Sequence, residues 1–457
     1  MNFDVRDFGA AGDGSTKDTV AIQKTIDQCS KHGGTVNVPA GTYLCGTIWL
    51  KDNVNLYLDA GAVIQASSEL EDYNPDDAFS QNQAFTQENV TGAHLIIALE
   101  ANNVSISGQG TINGRGEAFF DKSRLNGSNW AIKDKRPGQM IYFCECSNVT
   151  VSGISLINSP YWTLFLHGCT DVIIHGLRIN NPPKTQNGDG VDIDCCTNVT
   201  MSDCIIFSGD DCITLRAHNK TLKNKAMECR NVTISNCVLS TICNAVRVGV
   251  GDGTVQDCTI SNIVITDSRN GLCIISKYSE RAIRGATIDN VSFSNIVMDT
   301  IMPFYIATGA GGEAPISNIY FENIRAKARK GSYLAGEVAA PLRNISFTNV
   351  KVDMYDGKDY VASPEELASM HREWHKSRPA AFFLRNVKDS EFFKIDICWS
   401  DVDDVWRHIF MLENVTGAGI KYLSSKTPEL PSFAEPVKMD SNCDVKLENC
   451  SLSKGNL

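Results

Sequence analysis

A six-residue pattern that keeps returning constrains this chain more than any other feature. It opens on Asn or Asp, continues with a usually aliphatic residue, places an apolar residue two positions later, and often closes on Gly, Asn or Asp. It starts at Asn103, Asn148, Asp171, Asn198, Asn231, Asp257, Gly285, Asn318 and Asn344. From residue 148 onward the intervals are 23, 27, 33, 26, 28, 33 and 26 residues. Strands this short cannot bury a face alone, but each can be covered by the equivalent strand of the next repeat. A coiling chain meets that need: aliphatic residues form ladders inside, and Asn side chains at equivalent turns bond up and down the stack. With strands ~4.8 Å apart, about ten coils make a rod on the order of 50 Å long. The expected fold is all-β, a single-stranded right-handed parallel β-helix. A propeller fits less well, because its blades need about 40 or more residues of antiparallel strand.

The N-terminus reads differently. Turn-rich Phe8 to Gly14 is followed by Asp18 as an N-cap, and Val20, Ile22, Ile26 and Cys29 recur at helical spacing before Gly33 and Gly34 stop the helix. One amphipathic helix ahead of many strands implies a helix that caps the open end of the coil. Three stretches break the rhythm and read as loop insertions, near 69–93, 115–139 and 354–378. In the last, Ser363, Pro364, Glu365 and Glu366 resemble a capping box that opens a short helix. Without a linker between halves, residues 1–457 are expected to form one domain.

Composition narrows the partners. The chain has 42 Lys and Arg against 53 Asp and Glu, a formal net charge of -11. That argues against nucleic acid and against anionic membranes, and no apolar run reaches the ~18 residues of a membrane span. The first residues lack the basic start and apolar stretch of a secretory signal, so a cytoplasmic location is expected. The 17 cysteines are scattered inside apolar runs, which suits reduced core thiols. Neither Cys144-Glu145-Cys146 nor Cys195-Cys196 has zinc spacing, so neither metal nor cofactor is expected. The oligomeric state is left open.

Chemistry concentrates between Asn187 and Leu215. Asp189, Asp192, Asp194, Asp210 and Asp211 fall within 23 residues, and Asp189 and Asp210 are 21 residues apart. On a coil of that period the two lie on neighbouring turns, with Asp211 beside Asp210. Crowded carboxylates cannot all stay ionised at ordinary pKa values, so one is left as a proton donor among acceptors. A glycosidic bond needs that pairing: an acid for the leaving oxygen and a base for water. Asp-Gly pairs are also ordinary turn residues, which is the structural alternative.

These residues resemble glycoside hydrolase family 28, the polygalacturonase-like enzymes, which are pectin-lyase-like parallel β-helices. Asn187-Gly188-Asp189 is similar to the family's Asn-Thr-Asp, and Gly209-Asp210-Asp211 matches its acidic pair. Ser159 to Trp162 resembles a segment bordering the cleft, and the Phe8–Gln23 opening is shared more widely. The resemblance covers most of the chain from Phe8 to about residue 290. It implies an inverting hydrolase of oligosaccharides in which Asp210 is the general acid and Asp189 and Asp211 activate water. Asn187 and Trp162 would then contact substrate.

The departures from the family are specific. Asn244 falls where a Gly-His-Gly histidine is expected, and Cys273 and Ile275 replace the Arg and Lys of Arg-Ile-Lys. The usual uronate clamp is therefore missing, and a sugar other than galacturonate is expected at the cleaved position. Arg216, Arg247 and Lys277 are replacement cations that could bind substrate or pair with surplus aspartates. His167 and His218 read as turn or interior residues. Trp130 and Trp374, like Trp162, could stack on sugar faces, although a buried or loop-anchoring role is the commoner one for such aromatics. Two other readings stay open: a polysaccharide lyase or epimerase, with Ca²⁺ on the aspartates and an arginine base, and a non-catalytic carbohydrate-binding β-helix.

Overall fold

The computed structural model describes residues 1–362, 376–402, 405–426 and 435–452. The helix expected to open at Ser363 and the side chain of Trp374 lie outside the described residues. The chain groups into two compact units, Met1–Ile242 and Cys243–Leu457. In both, short strands pair in parallel with their counterparts one coil away, the arrangement of a right-handed parallel β-helix.

In the first unit three ladders run through successive coils. One joins Ile96–Leu99, Ile141–Cys144, Leu164–His167, Val191–Asp194 and Ile213–Ala217. A second carries the repeat pattern itself, and its register stacks Val104, Val149, Val172, Val199 and Val232 in one column. Each of those valines is at most 1% exposed, and full burial of such a side chain stabilises by roughly 1.5–3 kcal/mol. The residue before each valine is the opening Asn or Asp of the pattern. It sits in the left-handed region, with φ of 56° at Asn103, 53° at Asn148, 56° at Asp171, 59° at Asn198 and 54° at Asn231. Asn and Asp tolerate this conformation better than other side-chain-bearing residues. Their side chains also bond along the stack, from Asn198 Nδ2 to Asp171 Oδ1 at 2.9 Å and from Asn231 Nδ2 to Asn198 Oδ1 at 3.0 Å.

The N-terminal helix spans Thr19–Cys29 and buries Ala21, Ile22, Ile26 and Cys29 against the first strands. Two expectations are corrected here. Val20 is 64% exposed, because the helix turns that position outward. Asp18 makes no capping bond; its carboxylate, 1% exposed, accepts from Ala11 N at 2.7 Å and Gly12 N at 3.1 Å. It ties down the glycine-rich opening turn instead. The 69–93 insertion holds two short 3₁₀ turns, Leu70–Asp72 and Thr86–Glu88. The 115–139 insertion is more than a loop, since Phe120–Asn126 and Asn129–Ile132 form an antiparallel hairpin.

The second unit uses longer, bent strands, among them Thr254–Ile275, Thr287–Ala307, Ile316–Ala328 and Leu342–Asp356. Its interior is a phenylalanine stack: Phe293, Phe321, Phe347 and Phe392 follow one another with ring centroids 5.1, 4.4 and 5.1 Å apart. The same Asn contacts recur, such as Asn344 Nδ2 to Asn318 Oδ1 at 2.6 Å. Toward the C-terminus Val437–Met439 and Asp444–Glu448 pair in parallel with His408–Lys421, adding a further coil. Among the described residues every cysteine is a free thiol, and all but Cys243, Cys398 and Cys443 are buried.

Candidate active site

The carboxylates meet because two turns stack. Asn187 takes the left-handed conformation (φ 53°) and swings the chain from Arg178–Asn180 into Val191–Asp194. Gly209 N donates to Gly188 O at 3.1 Å, Gly190 N to Asp211 O at 2.9 Å, and Val191 N to Cys212 O at 2.9 Å. On the other side Thr163 N donates to Asp189 O at 3.0 Å. Asp189 thus lies between the Tyr161–Thr163 turn and the Asp210–Asp211 turn. The glycines permit the approach: a Cβ on Gly190 would meet Cys212 O at 2.4 Å, and one on Gly209 would meet Thr185 O at 2.4 Å. Ser208 Oγ at 2.7 Å and Thr241 Oγ1 both donate to Asp210 O and hold that turn.

The electrostatics follow from burial. Asp189 is 5% exposed, and its Oδ1 has no hydrogen-bond partner among the described residues. Burial, then the charges of Asp192, Asp210 and Asp211, push its carboxyl well above the usual range, against the pull of Arg216. Asp192 is fully buried, and desolvation raises it to about 7 although Arg216 draws it down. In the strand Val191–Asp194, Val191 and Ile193 face the core while Asp192 and Asp194 face the other way. Arg216 pairs in register with Asp194. Its Nη1 lies 3.3 Å from Asp192 Oδ1 and its Nε 3.6 Å from Asp194 Oδ2.

The aromatic surroundings are dense. The Arg216 guanidinium lies 4.2 Å from the centre of the Trp162 ring, and Trp162 stacks on Tyr161 at 4.9 Å. At 6% exposure Trp162 presents little open face. His167 is buried and bonded to the Tyr142 hydroxyl at 3.0 Å and to His218 O at 3.1 Å. Burial holds His218 below the ordinary imidazole range.

One residue at the site escaped the sequence reading. Arg136, in the second insertion, is 0% exposed. Its Nη1 donates to Pro160 O at 2.9 Å and Gln186 O at 2.5 Å, and its Nη2 to Asn187 Oδ1 at 2.9 Å. Its guanidinium lies 4.9 Å from the Tyr161 ring centre, and burial pulls its pKa to about 10. Arg136 also joins the two insertions, since its N donates to Asn89 O at 3.0 Å and its O accepts from Thr91 N at 3.0 Å. Nearby, Tyr161 donates to Glu88 Oε2 at 2.5 Å. The only available signal was a cation inside a rhythm-breaking stretch, which does not distinguish a buried anchor from a surface charge.

Asn187, Asp189, Asp210, Asp211, Arg216 and Trp162 are therefore gathered in the first unit. Asn244, Arg247 and Lys277 belong to the second. There Asn244 Oδ1 accepts from Asn270 Nδ2 at 2.7 Å, and Arg247 lies 4.0 Å from the Tyr278 ring centre and pairs in register with Cys273. Lys277 Nζ donates to Gly311 O at 3.2 Å. Cys273 and Ile275 pack with Ala307, Tyr305 and Tyr333 as a buried apolar cluster.

Comparison with known proteins gives the family and the fold. Residues 32–369 match the family model described as "Glycosyl hydrolases family 28". A probable polygalacturonase of Vitis vinifera is 28% identical over 328 residues, 67% of this chain and 62% of that protein. The chain therefore spans less than two thirds of that relative. An exopolygalacturonase of Arabidopsis thaliana is 26% identical over 382 residues, 78% of this chain and 80% of its own length. Among solved structures, the family 28 exopolygalacturonase of Yersinia enterocolitica superposes with a TM-score of 0.69 at 22% identity, over 91% of this chain and 78% of that one. At that identity the likeness is one of fold, the pectin-lyase-like β-helix.

Proposed function

The chain belongs to glycosyl hydrolases family 28; on that premise we propose that it is a glycosidase and that it hydrolyses an O-glycosidic bond in a pectin-related oligosaccharide, acting from the chain end. The observation that carries the reading is the stacking of Asp189 against the Asp210–Asp211 turn, with Asp189 desolvated and its carboxyl held well above the usual range. Carboxylates crowded in this way cannot all ionise together, so one can give a proton while another takes one, the division of labour that hydrolysis requires. In this reading Asp210 protonates the leaving oxygen, and Asp189 and Asp211 activate the water that inverts the anomeric carbon.

Two observations refine the substrate. The insertions at 69–93 and 115–139 bond to each other through Arg136 and to the turn that carries Asn187. Insertions that wall one end of the cleft would favour removal of terminal units, and the Arabidopsis relative is named an exopolygalacturonase. Cys273 and Ile275 lie in a buried apolar cluster where the family's Arg-Ile-Lys is expected, so the cleaved sugar is not gripped by that clamp. The test is a panel of pectin- and rhamnogalacturonan-derived oligosaccharides, with wild type and Asp210→Asn compared. Release of single terminal units in the inverted anomeric form, seen by proton NMR and absent in the variant, supports the reading. Random internal fragments would overturn the exo assignment, and full activity in Asp210→Asn would overturn the assignment of the acid.

A further inference from the structure

We infer that segment 79–85 of the first insertion plugs the substrate groove at the coil of Asp192 and Asp194, and that Glu145 pins the plug; this rests on the glycosidase reading and gives its end-acting specificity to named residues. Register shows where the groove stops. On the ladder that carries the acids, Ile97, Tyr142, Phe165, Asp192 and Thr214 occupy one column. The column faces away from the interior, and its chemistry changes from apolar to polar between Phe165 and Asp192. The three earlier side chains are at most 5% exposed, because the insertion packs over them. A sugar ring needs partners for its hydroxyls, and that covered stretch offers it none.

The cover is aromatic. The ring centre of Phe79 lies 5.6 Å from that of Tyr142, and the ring centre of Phe85 lies 5.6 Å from that of Trp162. The space left among Phe85, Trp162, His167, Asp194 and Arg216 is about 20 Å³, against about 300 Å³ or more for small-ligand sites. A saccharide therefore does not continue past Arg216 in this direction, and its terminal unit stops there. Between the two rings Gln81 is 2% exposed, and its Nε2 donates to Glu145 Oε2 and, at 3.2 Å, to Glu100 Oε1. Glu145 Oε1 accepts from Lys223 N at 3.0 Å, so one carboxylate ties the plug to the loop that follows Ile213–Ala217. A buried amide held by charged acceptors is a firm anchor. Glu145 itself sits at φ 50°, a conformation that glycine adopts without strain.

The test compares the full-length wild type with Phe85→Ala, which shortens the plug, and Glu145→Gly, which releases it and leaves the backbone turn relaxed. Each is given reducing-end-labelled oligosaccharides of the pectin- and rhamnogalacturonan-derived panel, and hydrogen exchange of residues 76–90 is followed by mass spectrometry. Loss of the charge-assisted anchor predicts exchange about tenfold faster over 76–90 in Glu145→Gly. Both variants should release internal fragments where wild type releases single terminal units, a change that mere loss of stability would not produce. Unchanged exchange in Glu145→Gly would overturn the pinning, and products that stay terminal in both variants would overturn the plug. Wild type is read first. If it cleaves nothing in the panel, the glycosidase reading falls and takes this inference with it; if it cleaves and the variants leave the products unchanged, this inference falls alone.

Discussion

Arg216 Nη1 lies 3.3 Å from Asp192 Oδ1 in a pair almost entirely removed from water, with side-chain exposures of 10% and 0%. Arg216 faces the row Asp192 and Asp194 on the strand that follows the Asp189 turn. The sequence left open whether Arg216 grips substrate or answers surplus aspartates, and the geometry shows it answering aspartates.

Arg216→Ala should therefore act first on stability. Removing one partner of a buried pair leaves an uncompensated charge and costs about 3–5 kcal/mol. The loss should be full at pH 8 and smaller at pH 5, where Asp192, raised to about 7, already carries a proton. Urea denaturation of both proteins at the two pH values checks this; equal losses at both would mean that the arginine matters through packing on Trp162.

Asp189 gives the opposite sign. An acid whose folded pKa lies above its unfolded value contributes stability below the unfolded pKa and loses it as pH rises through the folded one. Wild-type stability should thus decline from about pH 4 upward, where the unfolded chain releases the protons that buried Asp189 and Asp192 retain. Asp189→Asn should abolish hydrolysis and raise Tm at pH 7, by roughly 2–4 °C for each kcal/mol released. Differential scanning calorimetry against pH would show a shallower decline in the variant. A lower Tm at pH 7 would contradict the desolvation argument.

How much could be read beforehand depended on whether the information was periodic. The columns Asn103 to Asn231 and Val104 to Val232 were legible because each coil must repeat the chemistry of its neighbour. Asp189 and Asp210 were legible because their separation is one coil. Arg136 was not, since its partners Pro160, Gln186 and Asn187 lie outside its own insertion and follow from loop packing. Asp18 was legible in position, since it is the residue that precedes the helix, but not in its contacts: only the folded turn brings Ala11 and Gly12 to its carboxylate. Trp162 was placed near the site by position alone, and its contacts with Tyr161 and Arg216 are tertiary ones that no repeat announces.

The asparagine column offers a test of the fold's own logic. Asn198 sits at φ 59°, donates to Asp171 and accepts from Asn231. Asn198→Ala should cost more than Asn198→Gly, because alanine bears the left-handed strain of about 1 kcal/mol or more that glycine escapes, while both lose the side-chain bonds. Chemical denaturation of the two variants gives the order, and the reverse order would show that chain entropy, not backbone strain, governs the position.

Arg136 carries the last prediction. Its guanidinium binds the carbonyls of Pro160 and Gln186 and the side chain of Asn187, so it ties the turn that presents Asp189 to the Pro160 turn of the neighbouring coil. A displacement of ~1 Å in a catalytic group can cost about 10²-fold in rate. Arg136→Lys keeps the charge but cannot reach three acceptors with a rigid fork. It should lower kcat by about that factor with KM nearly unchanged, and circular dichroism should report an intact β-helix. A merely structural arginine would instead lower the folded fraction and leave the kcat of the folded enzyme alone. Measuring kcat per folded active site separates the two, because a positioning role appears in the rate constant and a structural role appears only in the amount of enzyme.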